Sequence, residues 1–287
     1  MPIARLSGYG LLRVDGADAR SFLHAQLTAD IAGLDRGQAR RAGWCSAKGR
    51  LLATFLVLSH GDAFLMQLAR DLAAPVARRL ATFVLRAKVR IADESDRWLQ
   101  HGLWGPDATD RLAALGVPVS SSELGVGSAG ATIAVRLGPD RFLLLGACEL
   151  SADATEEQWI LQEIRAGVPW ITAATQDRLV PQMANFEAIG GVDFRKGCYP
   201  GQEVVARAQY RGAVKRRLYR MGLPTPLAAG QDLYSDDSAS EPAGIVVNAA
   251  GGEALVVLPV ASVAAGCAVR AAPGAEPLTF LPLPYTV

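Results

Sequence analysis

Histidine and cysteine are scarce in this chain, at three and four residues of 287, and neither type is clustered. Cys45, Cys148, Cys198 and Cys267 form no Cys-x-x-Cys pair and have no histidine nearby, so the sequence writes neither a zinc site nor a four-cysteine iron–sulfur cradle. Scattered thiols of this kind are expected to be reduced, in a reducing compartment. Neither sign of charge is in excess: 29 Lys and Arg against 28 Asp and Glu leave a formal charge of +1. That balance excludes general attraction to nucleic acid or anionic lipid, and an anionic partner must be held by a local patch. Met1-Pro2-Ile3-Ala4-Arg5 lacks the basic region and apolar run of a signal peptide. Gly244 to Val269 carries one charge, Glu253, but Asn248, Gly251-Gly252 and Pro259 break it into pieces that read as buried strands with turns. The expectation is a soluble, cytoplasmic protein with no membrane partner. Neither a Gly-x-Ser-x-Gly elbow nor a P-loop is present. His24, His60 and His101 stand too far apart for ligand spacing, so no metal site is expected.

Hydrophobic residues make up 50% of the chain and charged residues 20%, which describes a globular protein long enough for two or three domains. Two stretches echo each other. In the first, Leu51–Leu58, a turn over Ser59-His60-Gly61-Asp62 and Ala63–Leu68 precede Leu72, Val76, Leu80 and Phe83 at helical spacing. In the second, Ala131–Leu137 and Phe142–Leu145 flank Gly138-Pro139-Asp140. A helix from about Thr155 to Arg165 follows, with Asp153 and Glu156 as a capping-box start and Gly167 with Pro169 as its stop. Hairpin then helix, twice, predicts an α+β fold with helices on one face of a sheet. From about Gly212 short apolar runs alternate with Gly, Pro, Asp and Ser, which predicts a C-terminal all-β barrel or sandwich. The joint, Tyr210 to Arg217, holds the densest basic cluster. Gly125-Val126-Gly127-Ser128-Ala129-Gly130 spells Gly-x-Gly-x-x-Gly, but a strand-like segment follows where a dinucleotide site needs a helix, so it reads as a plain loop.

The segment Lys196-Gly197-Cys198-Tyr199-Pro200-Gly201-Gln202-Glu203 concentrates chemistry. Pro200-Gly201 is a turn dipeptide, and Gln202 to Arg207 has helix-compatible composition. Cys198 is therefore placed at or just before a helix N-terminus, where free N–H groups, with Arg195 and Lys196 beside them, favour the thiolate. The competing reading is a buried structural cysteine.

Three segments carry a family resemblance: Phe22-Leu23-His24-Ala25-Gln26-Leu27-Thr28-Ala29-Asp30, Cys45-Ser46-Ala47-Lys48-Gly49-Arg50, and Gly190 through Glu203 with its Lys-Gly-Cys-Tyr-Pro-Gly-Gln-Glu core. With Leu281-Pro282-Leu283-Pro284-Tyr285 at the C-terminus, the chain resembles the YgfZ family of folate-binding proteins over nearly its whole length. That family is related to the aminomethyltransferase of the glycine cleavage system and is associated with iron–sulfur enzymes and tRNA modification. The resemblance implies an α+β, three-domain, aminomethyltransferase-like architecture. Its ferredoxin-like α/β domains and a C-terminal β-barrel would surround a central folate opening. The implied division is 1–44 plus 115–210 (folate-binding, discontinuous), 45–114 (ferredoxin-like) and 211–287 (β-barrel).

Residue by residue, the resemblance implies Cys198 as the working thiol and tetrahydrofolate, or a derivative, as cofactor. Tyr9 and Trp159 match the pterin-side aromatics, Gln182, Asn185, Gln202 and Glu203 would bond the pterin amide edge, and Lys196, Arg207 and Arg211 would take the glutamate tail, with Tyr199 beside the thiol. Where the aminomethyltransferase carries an acid, Leu52-Ala53 stand here, which speaks against aminomethyl transfer. The expected function is support of iron–sulfur enzyme assembly or repair, with such enzymes or assembly proteins as partners. The alternative is a folate-dependent one-carbon transferase or demethylase using Cys198 or Glu203. Direct tRNA binding is not expected from the net charge, although Arg211 to Arg217 would be the patch for it.

Overall fold

A computed structural model of the chain describes residues 2–118, 120–146, 150–212, 214–238 and 241–287. Cys148 lies outside the described residues. The chain gathers into two compact units, one of residues 1–42 and 55–159, the other of residues 43–54 and 160–287.

The first unit is built on two sheets. One has the order β1(Ile3–Arg5), β7(Leu99–Trp104), β10(Arg141–Gly146), β9(Thr132–Gly138), β8(Val126–Ala129). Its apolar face packs Leu103, Phe142 and Leu144 against Ala108 and Leu112 of α3(Ala108–Ala114). The other has the order β3(Ala39–Cys45), β4(Leu51–His60), β5(Ala63–Ala69), β2(Tyr9–Asp15), β6(Arg90–Asp93), with the ends of β3 and β4 counted in the second unit. The expected hairpin is β4–β5, registered from Leu56↔Gln67 to His60↔Ala63. It leads into α2(Arg70–Ala81), which buries Leu72, Ala73, Val76 and Leu80, a one-sided stripe at helical spacing. β2 pairs with β5 and β6, so residues 9–15 share a sheet with strands beyond the expected boundary at 44/45.

Two expectations change. The glycine-rich segment is not a loop: Val126–Ala129 pairs with Thr132–Ile133–Ala134–Val135 as the edge strand β8. Small residues suit it there, since a Cβ on Gly127 would sit 2.0 Å from the Pro118 carbonyl oxygen. The cap of α4(Glu156–Arg165) is also shifted, because the reciprocal box is Thr155 with Gln158. The Gln158 N–H donates to Thr155 Oγ1 (3.2 Å) and the Thr155 N–H to Gln158 Oε1 (2.9 Å). Asp153 and Glu156 instead hold the N-terminal strand region, accepting the Ile3 N–H at 2.7 Å and the Gly8 N–H at 2.7 Å.

In the second unit six strands form a curled half-barrel sheet where a barrel or sandwich was expected. The order is β15(Val269–Arg270), β12(Asp232–Ser235), β13(Gly244–Ala250), β14(Glu253–Pro259), β11(Arg216–Gly222), β16(Thr279–Leu281). Its core holds Met221, Leu233, Val246, Val256, Leu258 and Val269, and the short helix α6(Val260–Ala264) follows β14. Among the described residues no helix is long and apolar enough to cross a membrane.

Glu253 ties this sheet to the last turn of α4, accepting from Arg220 Nε at 2.6 Å and Arg165 Nε at 3.0 Å. Burial works to raise its carboxyl pKa, but the two arginine hydrogen bonds and their charges together outweigh burial, and the net shift is downward. A carboxyl held below its unfolded value contributes stability that is present above pH ~4.3 and lost as pH falls through the folded value. Glu253→Gln is therefore expected to cost about 1–2 kcal/mol near neutrality and to lose that penalty in acid, as urea midpoints at pH 7 and pH 3 will measure. An equal penalty at both pH values contradicts the ion-pair account.

Candidate functional site

The cysteine segment is irregular backbone held from behind by a tight loop. Ser46 to Arg50 joins β3 to β4 and closes on itself through Ser46 N–H to Arg50 O (2.8 Å) and Gly49 N–H to Ser46 O (2.8 Å). The loop is fastened to the segment before Leu179: Ser46 Oγ donates to Asp177 Oδ1 (2.8 Å), Arg50 Nη1 donates to the Asp177 carbonyl (3.2 Å), and Asp177 N–H donates to Leu51 O (2.8 Å). Asp177 has φ +58, a left-handed conformation that aspartate tolerates better than most residues.

Gly201 rests on this loop. A Cβ there would lie 2.4 Å from Ser46 O and 2.7 Å from Gly49 Cα, and its φ is +78, so two conditions demand glycine. Gly201 caps α5(Gln202–Tyr210). Cys198 thus stands three residues before the cap residue and not on the first turn of the helix, and its side chain is exposed. The structural-cysteine reading fits Cys45 instead: it is buried, and burial pushes its thiol up to about 12. Tyr199 is buried, and burial, with the nearby Cys45, raises its phenol pKa. The Lys196 ammonium lies 4.8 Å from the centre of the Tyr199 ring, and Asp193 Oδ1 accepts the Arg195 N–H at 2.8 Å.

The second unit holds eight more predicted residues besides Cys198. Gln202, Glu203, Arg207 and Arg211 follow on α5 and its C-cap, and Glu203 is paired with Arg207 at 2.9 Å on the exposed side. Gln182 lies within the 3₁₀ turn Pro181–Ala184 and Asn185 caps its C-terminus, and both are wholly buried. Asn185 uses both ends of its amide on Leu218, donating to its carbonyl (2.9 Å) and accepting its N–H (3.2 Å). Gln182 donates to Val205 O at 2.7 Å, while its Oε1 is buried with no hydrogen-bond partner among the described residues. In the first unit, Tyr9 and Trp159 are 6% and 2% exposed. Trp159 lies flat over Gly102, beside Trp104, with the Arg141 guanidinium 6.0 Å from its ring.

The basic joint is largely spent inside the fold. Arg216 donates to Ala243 O, and Arg217 to Gln182 O and to Glu187. The patch expected for an anionic partner is accordingly reduced to Arg211 and Lys215. Sequence reading did not single out Ser46 or Asp177, whose roles arise only because the two loops meet. Among the described residues no group of three or more His, Cys, Asp or Glu gathers as a metal site.

Residues 3–135 match the family model of the GCVT N-terminal domain. The tRNA-modifying protein YgfZ of Shigella dysenteriae serotype 1 (strain Sd197) is 34% identical over 251 residues, covering 81% of this chain and 76% of that protein. The same protein of Escherichia coli (strain SE11) matches with the same identity and coverage. Among solved structures, glycine cleavage system aminomethyltransferase T from Bartonella henselae superposes with a TM-score of 0.61 at 17% identity, over 90% of this chain and 78% of that one. That likeness makes the fold aminomethyltransferase-like.

Proposed function

The chain belongs to the YgfZ family, and from that membership we propose that it binds tetrahydrofolate or a derivative and supports assembly or repair of iron–sulfur enzymes. tRNA modification that depends on such enzymes, and a cytoplasmic setting, belong to the same reading. One observation carries it: Cys198 is an exposed thiol on a segment anchored behind by the Gly201 contact, while Cys45, in another of the resembling motifs, is buried and protonated. A lone thiol cannot hold a cluster, so the iron–sulfur protein is a partner that comes to it.

For the folate, Gln182 supplies a sign of fit, since a buried amide oxygen without a partner is satisfied by an N–H of the kind a pterin carries. Gln202 and Glu203 would extend that polar edge, and Lys196, Arg207 and Arg211 would receive the carboxylate tail. Asn185, Tyr9 and Trp159 have less support as ligand contacts, because the amide is already bonded at both ends and the rings are already covered. When bound, the folate would supply one-carbon carrier chemistry. The division into 1–44 plus 115–210, 45–114 and 211–287 is also part of this proposal.

Calorimetry with tetrahydrofolate is expected to show binding, unchanged in Cys198→Ala. The same variant is expected to lose the ability to restore iron–sulfur enzyme activity in cells lacking the protein. Full restoration by Cys198→Ala would sink the thiol role, and absence of binding would sink the folate role. Turnover of a methylated or aminomethylated substrate by the purified protein would favour the one-carbon transferase.

A further inference from the structure

A longer run of exposed cations lies in the first unit, away in sequence from the joint where the basic patch was expected. Between Leu72 and Ala92 there is no acidic residue, but there are five basic ones: Arg78, Arg79, Arg86, Lys88 and Arg90. All five are exposed, and the side chains of Arg78, Arg86, Lys88 and Arg90 make no hydrogen bond or ion pair with described residues. Their backbone is nonetheless fixed. Asp18 Oδ2 accepts the Lys88 N–H at 2.7 Å, Asp18 N–H donates to Lys88 O at 3.3 Å, and Arg90 opens β6 in register with Asp15. Just before them, Leu85 is 90% exposed at φ +46, a conformation that costs leucine about 1 kcal/mol.

This basic run leads into a cleft of ≈ 460 Å³ lined by Arg13, Arg90, Arg97, Trp98, Asp15 and Glu94, among others. Its acids are already committed: Asp15 to Arg13 at 3.0 Å, and Glu94 to Arg97 at 3.2 Å and to the Trp98 indole N–H at 3.0 Å. The unbalanced charge is therefore Arg90, which shares the cleft with an indole held in place by Glu94 and by the edge contact of His60 at 5.4 Å. A row of unpaired cations leading to an aromatic in an open cleft matches what a flexible polyanion with flat bases requires. The phosphates are neutralised along the row, and a base is taken up at the ring.

We propose that this face binds a single-stranded polynucleotide, with its phosphates on Arg86, Lys88 and Arg90 and a base in the cleft against Trp98. The site goes beyond the folate and thiol reading and shares none of its residues.

The test uses the full chain and a short fluorescent RNA strand of mixed sequence, followed by anisotropy at low salt. The wild type is expected to bind. The triple reversal Arg86→Glu/Lys88→Glu/Arg90→Glu is expected to lose about tenfold or more in affinity and to lower the log–log salt slope by about 2, for three phosphate contacts. Arg111→Glu, a single charge reversal on α3, is expected to leave binding intact. Trp98→Ala is expected to weaken RNA binding without weakening capture of poly-L-glutamate. A DNA strand of the same sequence that binds equally assigns the site to single strands in general, and an RNA preference narrows it to RNA. Circular dichroism of each variant checks that it is folded. Wild-type binding retained by a folded triple variant overturns the proposal, as does the absence of RNA binding. So does a Trp98→Ala effect that is equal for RNA and polyglutamate, which would mean a plain charged surface for acidic protein. Tetrahydrofolate binding is measured separately, so a chain that binds folate but not RNA refutes this inference alone.

Discussion

Gly201→Ala is expected to destabilise the second unit by about 3–5 kcal/mol, combining an overpacking cost with the left-handed penalty for a β-carbon. The added methyl would meet Ser46 O at 2.4 Å, Gly49 Cα at 2.7 Å and Gly49 N at 2.8 Å. All three are backbone atoms of a loop pinned by Asp177, so no side chain can swing aside. Gly190→Ala is the matched control: its φ is +75, but no atom of the described residues lies within 4 Å of the new one, leaving only the dihedral cost of about 1–2 kcal/mol. Urea unfolding of both variants measures the difference. Equal losses would show that the contact with Ser46 and Gly49 carries no energy. Because the Cys198 segment stands on this contact, Gly201→Ala should also change the rate at which the native thiol is alkylated, whereas Gly190→Ala should not.

In the first unit, Gly102→Ala is expected to cost about 3–5 kcal/mol, the range for losing a buried tryptophan's packing. Gly102 sits in the middle of β7, between Ala4 on β1 and Leu143 on β10, so its backbone cannot retreat. A methyl group there would stand 2.2 Å from Cε3 and 2.3 Å from Cδ2 of Trp159. The ring must leave a pocket in which it is 2% exposed. Adding Trp159→Phe to Gly102→Ala should recover part of the loss, because the smaller ring leaves room, and the double-mutant cycle then shows a coupling beyond about 1 kcal/mol. Additive losses would mean that the two residues do not share the contact.

Legibility varied with how local the signal was. The β4–β5 hairpin, α2, the β9–β10 hairpin and α4 were visible because alternation and helical spacing are carried within a dozen residues each. β8 was not, because Gly125 to Gly130 has no alternation of its own and becomes a strand only by pairing with β9. The cap of α4 slipped because Asp153, Thr155, Glu156 and Gln158 all suit such a cap, and contacts of Asp153 and Glu156 with the N-terminal segment decided which pair was left for it.

Charge was read least well. Arg216 and Arg217 look like a surface patch in sequence, but β11 points them at Ala243 O and Glu187. The exposed run from Arg78 to Arg90 drew no notice, because its bases are spread over thirteen positions and interleaved with apolar residues.

By itself, the sequence determined the family, the α+β class, the order of most elements and the one segment dense in chemistry, since each is written in residues close along the chain. Tertiary structure decided which cysteine is exposed and which is buried, which amides and arginines are already spent on backbone, and which loop carries the Cys198 segment. Those outcomes depend on burial and on partners distant in sequence. A hydrogen bond from Ser46 to Asp177, or a glycine that must clear a carbonyl on another loop, leaves no mark in local composition.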